Sequence, residues 1–187
     1  MAGITGFGAY IPRLRLQRAA VVEANKWANP GLAALAKGER SMANWDEDSV
    51  TLAVEAARDC LAGADRGTIG HISFASTTLP FADRQNAGIV ATALSLPAGI
   101  GALDVTGSQR AGTSALLGAL VASNGGDDGE RLCTAADKRQ ARPGSTQELI
   151  YGVGAAALTV GGGANGDVIA EFIGHHSITE DFVDHYR

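Results

Sequence analysis

The sequence predicts an α/β layered fold, and three observations carry that reading. Strand-like and helix-like segments alternate along the chain. Short apolar runs such as "HISFAST" and "GALDV" are bounded by turn residues, as buried strands are. One longer stretch, "DEDSVTLAVEAARDCLAGA", places Val50, Ala53, Val54, Ala57 and Leu61 on a single helical face. The 187 residues suffice for one well-buried domain, or for half of a larger one.

Taken in order, "GITGFGAYIP" is a glycine-laced apolar strand ended by Pro12, with Gly6 and Gly8 marking close backbone approach. A basic segment and a helical stretch over 18–27 follow. Residues 28–44 read as an insertion or loop with a short helix, opened by the turn residues Asn29, Pro30 and Gly31. The acids Asp46, Glu47 and Asp48 precede the amphipathic helix and suit its positive end as capping residues rather than an acid/base pair. "HISFAST" is a strand, 85–94 a helix, "GALDV" a strand, and "RAGTSALLGALVASN" a helix apolar all round, which predicts burial. "RLCTAAD", "IYGVGAAALTVGG" and "DVIAEFIGHHSIT" are further strands. Asn165-Gly166 between the last two is a hairpin signal, and His175 and His176 fall on alternate faces of the final strand.

Composition excludes several function classes. A net charge of −5 without a large basic cluster argues against nucleic acid or an anionic membrane surface as partner. No apolar run approaches the ~18 residues of a membrane span, and "MAGITGFGAYIP" lacks the regions of a signal peptide. A cytoplasmic location is therefore expected. Cys60 and Cys133 stand far apart in apolar contexts and read as free thiols. Cys60 sits near the end of its helix, away from the positive end that activates a thiol. The four histidines show no metal-ligand spacing, and neither a GxGxxG helix opening nor a GK[ST] phosphate loop occurs. No metal and no covalently bound cofactor is expected.

The order of motifs resembles the N-terminal half of a thiolase-superfamily condensing enzyme, of the hydroxymethylglutaryl-CoA synthase-like and ketoacyl synthase III-like kind. The residues that carry the resemblance are "GITGFGAYIPRLRL", "NWDEDSVTLAVEAARDCL", "RAGTSAL", "AAD" with "PGSTQELIYGVGAAAL", and "VIAEFIGHHSITEDFVDHYR". The resemblance implies a layered αβα half over residues 1–187, with a mixed five-stranded sheet and a buried central helix; the C-terminal half of the duplicated fold is absent. It also implies a cysteine nucleophile at the start of that helix, in a pattern resembling "ACKAGT". That pattern falls on "SQRAGT" and puts Gln109 at the nucleophile's position. The general base, a glutamate at the end of the strand before a Pro-containing loop, matches Thr77 in "FASTTLPFA".

Neither replacement can do the chemistry of the residue it replaces, since an amide forms no thioester and a threonine hydroxyl is no base near neutral pH. Three readings stay open. One is decarboxylation or acyl transfer using Gln109 with residues outside this chain. A second is a degenerate partner subunit or part of a longer chain, and the third a non-catalytic scaffold. A CoA thioester remains a candidate ligand, approached by the small residues Ala111, Gly112 and Thr113 and by Arg110 as a cation for a phosphate or carboxylate. The resemblance further implies lipid or polyketide metabolism and an oligomer. Its partner would be a second copy, a thiolase-like subunit or an OB-fold protein.

Overall fold

The computed structural model describes residues 2–125, 129–162 and 168–180. Eight strands run β1 Gly3–Tyr10, β2 Leu14–Gln17, β3 Glu39–Met42, β4 Ile69–Ala75, β5 Gly101–Val105, β6 Glu130–Lys138, β7 Val153–Gly161 and β8 Ala170–Glu171. Five helices join them: α1 Arg18–Asn25, α2 Ser49–Cys60, α3 Asn86–Ala93, α4 Ala111–Asn124 and α5 Thr146–Ile150. Six strands form one mixed sheet in the order β5-β4-β6-β7-β1-β8. β4 lies parallel to β5 and β6, whereas β6–β7, β7–β1 and β1–β8 are antiparallel. The α/β class stands, with one strand more than the five expected. β8 adds only two residues to the free edge of β1, because Ala170 and Glu171 alone pair there.

Alternation along the strands sorts side chains into two layers. Ile72 and Phe74 of β4, with Leu132 and Ala136 of β6, join α2 and α3 in the main core. Ala75, Cys133 and Ala135 face the other way, toward Ala111, Ala115 and Ala119 of α4. Phe74, Ile72 and Leu132 are fully buried, each stabilising the fold by roughly 1.5–3 kcal/mol. The face expected on α2 is the face that is buried. The helix starts at a capping box: Asp48 Oδ1 accepts from Thr51 N–H at 2.8 Å, and Asp48 N–H donates to Thr51 Oγ1 at 2.8 Å. α2 lies so close to β1 that a Cβ at Gly8 would stand 2.2 Å from the Cys60 nitrogen and 2.6 Å from the Ala56 oxygen. Glycine at that position is a packing requirement.

Three expectations need correction. The insertion at 28–44 is more than a loop with a helix: after a 3₁₀ turn at Pro30–Leu35, β3 pairs antiparallel with β2 as a separate ribbon. The last two strands do not form a hairpin with each other, because β1 lies between β7 and β8; Asn165 and Gly166 themselves fall outside the described residues. His175 and His176 are not on a strand, since β8 ends at Glu171 and both are exposed on an extended segment. α4 is also only half covered. Ala111, Ala115, Ala119 and Ser123, spaced four apart, are buried, but Val121 is 47% exposed. A helix apolar all round has been laid on one face of a sheet, and its outer side meets solvent.

Candidate functional site

The parallel strands β4, β5 and β6 end at the same edge of the sheet, the edge where open α/β sheets place ligands. β4 leads into Ser76, Thr77 and Thr78, and β5 leads into the turn before α4. Gly107, at φ +84°, makes that turn possible, and Ser108 closes it: its Oγ accepts from Arg110 N–H at 3.1 Å and its carbonyl from Ala111 N–H at 3.0 Å. Gln109 is thereby set at the entrance to α4, exposed, its amide without a hydrogen-bond partner among the described residues.

A cleft of about 390 Å³ opens at this edge, and its wall brings together Thr77, Ser108, Gln109, Gly112 and Asp137 over a floor of alanines. Gln109 and Thr77, 32 positions apart in the chain numbering, thus face one cavity. Ala111 and Gly112 also line it. Arg110 turns elsewhere, donating from Nη2 to Ser177 Oγ at 3.0 Å, and Thr113 Oγ1 donates to the Arg110 carbonyl at 2.9 Å.

Asp137 organises the floor, and sequence reasoning assigned it no role. The β4–β6 register pairs Ala75 with Ala135, so two residues further on Asp137 lies beside Thr77. Its Oδ1 accepts from Ser76 Oγ at 2.9 Å, from Thr77 N–H at 2.8 Å and from Thr78 Oγ1 at 3.0 Å, while Thr77 Oγ1 stands 3.2 Å from both carboxylate oxygens. A carboxylate so engaged is a clamp on the turn after β4, poorly placed to take a proton from substrate. The available signal was the hydroxyl run Ser76-Thr77-Thr78 at a strand end, which calls for an acceptor.

The two thiols lie outside the cleft wall. Burial pushes the Cys60 thiol up, at the last residue of α2, and pushes Cys133 up to about 12, beneath α4. Neither thiol is poised as a thiolate near neutral pH. Among the described residues no three His, Cys, Asp or Glu side chains come together as a metal site. No described helix is long and apolar enough to cross a membrane.

A layered αβα half with a cleft at the head of a central helix is the fold of thiolase-like condensing enzymes. A hydroxymethylglutaryl-CoA synthase solved with CoA matches 86% of this chain and 42% of its own at a TM-score of 0.76 and 22% identity. The 3-oxoacyl-(acyl carrier protein) synthase III of Pseudomonas aeruginosa matches 87% and 52%, at 0.75 and 23%. No protein-family model matches. In sequence, the hydroxymethylglutaryl-CoA synthase of Methanocaldococcus jannaschii is 35% identical over 193 residues, spanning 100% of this chain and 54% of the relative. That of Pyrococcus furiosus is 33% identical over 187 residues, spanning 99% and 52%. The chain is a hydroxymethylglutaryl-CoA synthase-like and ketoacyl synthase III-like half of the thiolase superfamily. It spans about half the length of the curated relatives it matches.

Proposed function

We propose that residues 1–187 are the N-terminal thiolase-like domain of a condensing-enzyme homologue that holds an acyl-CoA or acyl-carrier thioester without forming an acyl-enzyme. It works as a partner subunit or within a longer chain. The observation that carries this reading is the free amide of Gln109 at the head of α4, in one cleft with Thr77. An amide N–H donates to a thioester carbonyl oxygen but has no nucleophilic electron pair to acylate. The CoA-bound relative supports CoA as the carrier. The uncovered outer side of α4 and the edge strand β5, with Leu103 51% exposed, support an adjoining layer. That layer comes from a second copy, a thiolase-like half or an OB-fold subunit. A cytoplasmic setting fits two free thiols.

Calorimetric titration with acetyl-CoA and malonyl-CoA tests the reading. Binding is expected, with no covalent adduct by intact mass. Gln109→Cys should then gain the mass of one acetyl group from acetyl-CoA. If neither thioester binds, the scaffold reading replaces this one. A second reading, decarboxylation of a malonyl thioester, is favoured by the same free amide. The bond to the carboxylate breaks, CO2 leaves, the electron pair forms a thioester enolate held by donors, and a proton from water completes the acetyl product. CO2 release that vanishes in Gln109→Ala would establish it.

A further inference from the structure

Thr77 lines a second cavity as well, one of about 550 Å³ whose other lining residues are Asp48, Ser49, Thr78, Lys138 and Gln140. One small side chain therefore borders both the Gln109 cleft and this space. Lys138 is the cation of the second cavity. Its Nζ donates to the carbonyls of Asn44 at 3.2 Å and Glu47 at 2.5 Å, which holds the ammonium in place and leaves one N–H to spare. Among the described residues no carboxylate pairs with it.

Two carboxylates stand near this space, and both are already engaged. Asp48 caps α2, its Oδ1 taking Thr51 N–H and its charge lying against the positive end of the helix. Asp137 is taken up by Ser76, Thr77 and Thr78. The uncommitted charge is the ammonium, and its complement is an anion. We propose that this cavity receives the far carboxylate of a short dicarboxylic monothioester whose thioester carbonyl lies against Gln109. Lys138 anchors the carboxylate, and Thr77 is the small residue past which the acyl chain runs. The proposal rests on the thioester-binding reading above and names its substrate class. A glutamate at position 77 would both fill the passage and oppose the carboxylate with its own charge.

Calorimetry on the whole chain with acetyl-CoA, succinyl-CoA and glutaryl-CoA tests it, together with acetyl- and glutaryl-pantetheine, which lack the nucleotide phosphates. One of the two dicarboxylic thioesters should bind about tenfold more tightly than acetyl-CoA, the worth of a charge-assisted hydrogen bond partly open to water. The same preference should persist in the pantetheine pair. Lys138→Met and Thr77→Glu should each bring the ratio of dicarboxylic to acetyl affinity close to one. Equal affinities in the parent chain overturn the proposal while leaving thioester binding intact, and need no variant to fold. A preference seen with CoA but lost with pantetheine assigns Lys138 to a phosphate and overturns it too. If no thioester binds at all, both readings fall.

Discussion

Removing the Asp137 carboxylate should loosen the turn that carries Thr77. In Asp137→Ala, four donor groups lose their acceptor: Ser76 Oγ, Thr77 N–H, Thr77 Oγ1 and Thr78 Oγ1. A hydrogen bond to a charged group is worth about 1.5–3 kcal/mol net. The cleft is open and the released hydroxyls can turn to water, so we take less than 1 kcal/mol for each of the three hydroxyls and about 1 for the backbone N–H. The sum is about 3 kcal/mol. With a urea dependence of about 2 kcal/mol per molar for a chain of this size, the unfolding midpoint falls by about 1.5 M. Asp137→Asn keeps one carbonyl oxygen, to which Thr77 N–H can still donate, and should lose about half as much. Urea unfolding followed by far-UV circular dichroism reads both values. An Asp137→Ala midpoint within about 0.3 M of the parent, at an unchanged slope, would refute the clamp.

Gly8→Ala should be among the costliest single-methyl changes, because its Cβ would stand within 2.7 Å of three backbone atoms of α2. A loss of about 3 kcal/mol or more is expected by thermal unfolding, since neither β1 nor α2 can retreat alone. The thiols give a pH test. Cys133 has its folded pKa raised to about 12, so its stabilising contribution is complete below the ordinary thiol pKa and is lost as pH climbs from about 9 toward that value. Iodoacetamide at pH 8 should therefore leave Cys133 unmodified in the native protein and label it in urea, with peptide mass as the readout. Rapid native labelling of Cys133 at pH 8 would contradict its burial.

The parts of the fold that were legible in sequence are those with a period. α2 announced its buried face through residues three and four apart, and β4, β5 and β6 through short apolar runs bounded by turns. The β2–β3 ribbon was not legible, because "LRLQ" and "ERSM" are largely solvent-facing and their pairing is a matter of backbone hydrogen bonds. Asn165-Gly166 suggested a local hairpin, but local turn chemistry says nothing of a strand from the other end of the chain entering between its arms. In the site, the positions of Gln109 and Thr77 came from resemblance. Their convergence on one cleft comes from the parallel β4–β5–β6 register, as does the placing of Asp137. Lys138 escaped notice because its surroundings are assembled from α2's approach, the turn after β4 and the end of β6.

The position of β1 has a consequence for how the chain reaches this structure. Its partners in the sheet are β7 and β8, with Gly3 opposite Gly161 and Glu171, so the first strand made waits for nearly the last. During synthesis, which adds about 5–20 residues per second, the glycine-rich strand spends many seconds with no ladder to join. The antiparallel closure of β1 onto β7 is a long-range step of the slow kind. Any bulky extension fused ahead of Gly3 would act on that final step, lowering the yield of folded protein without touching a contact in the finished core.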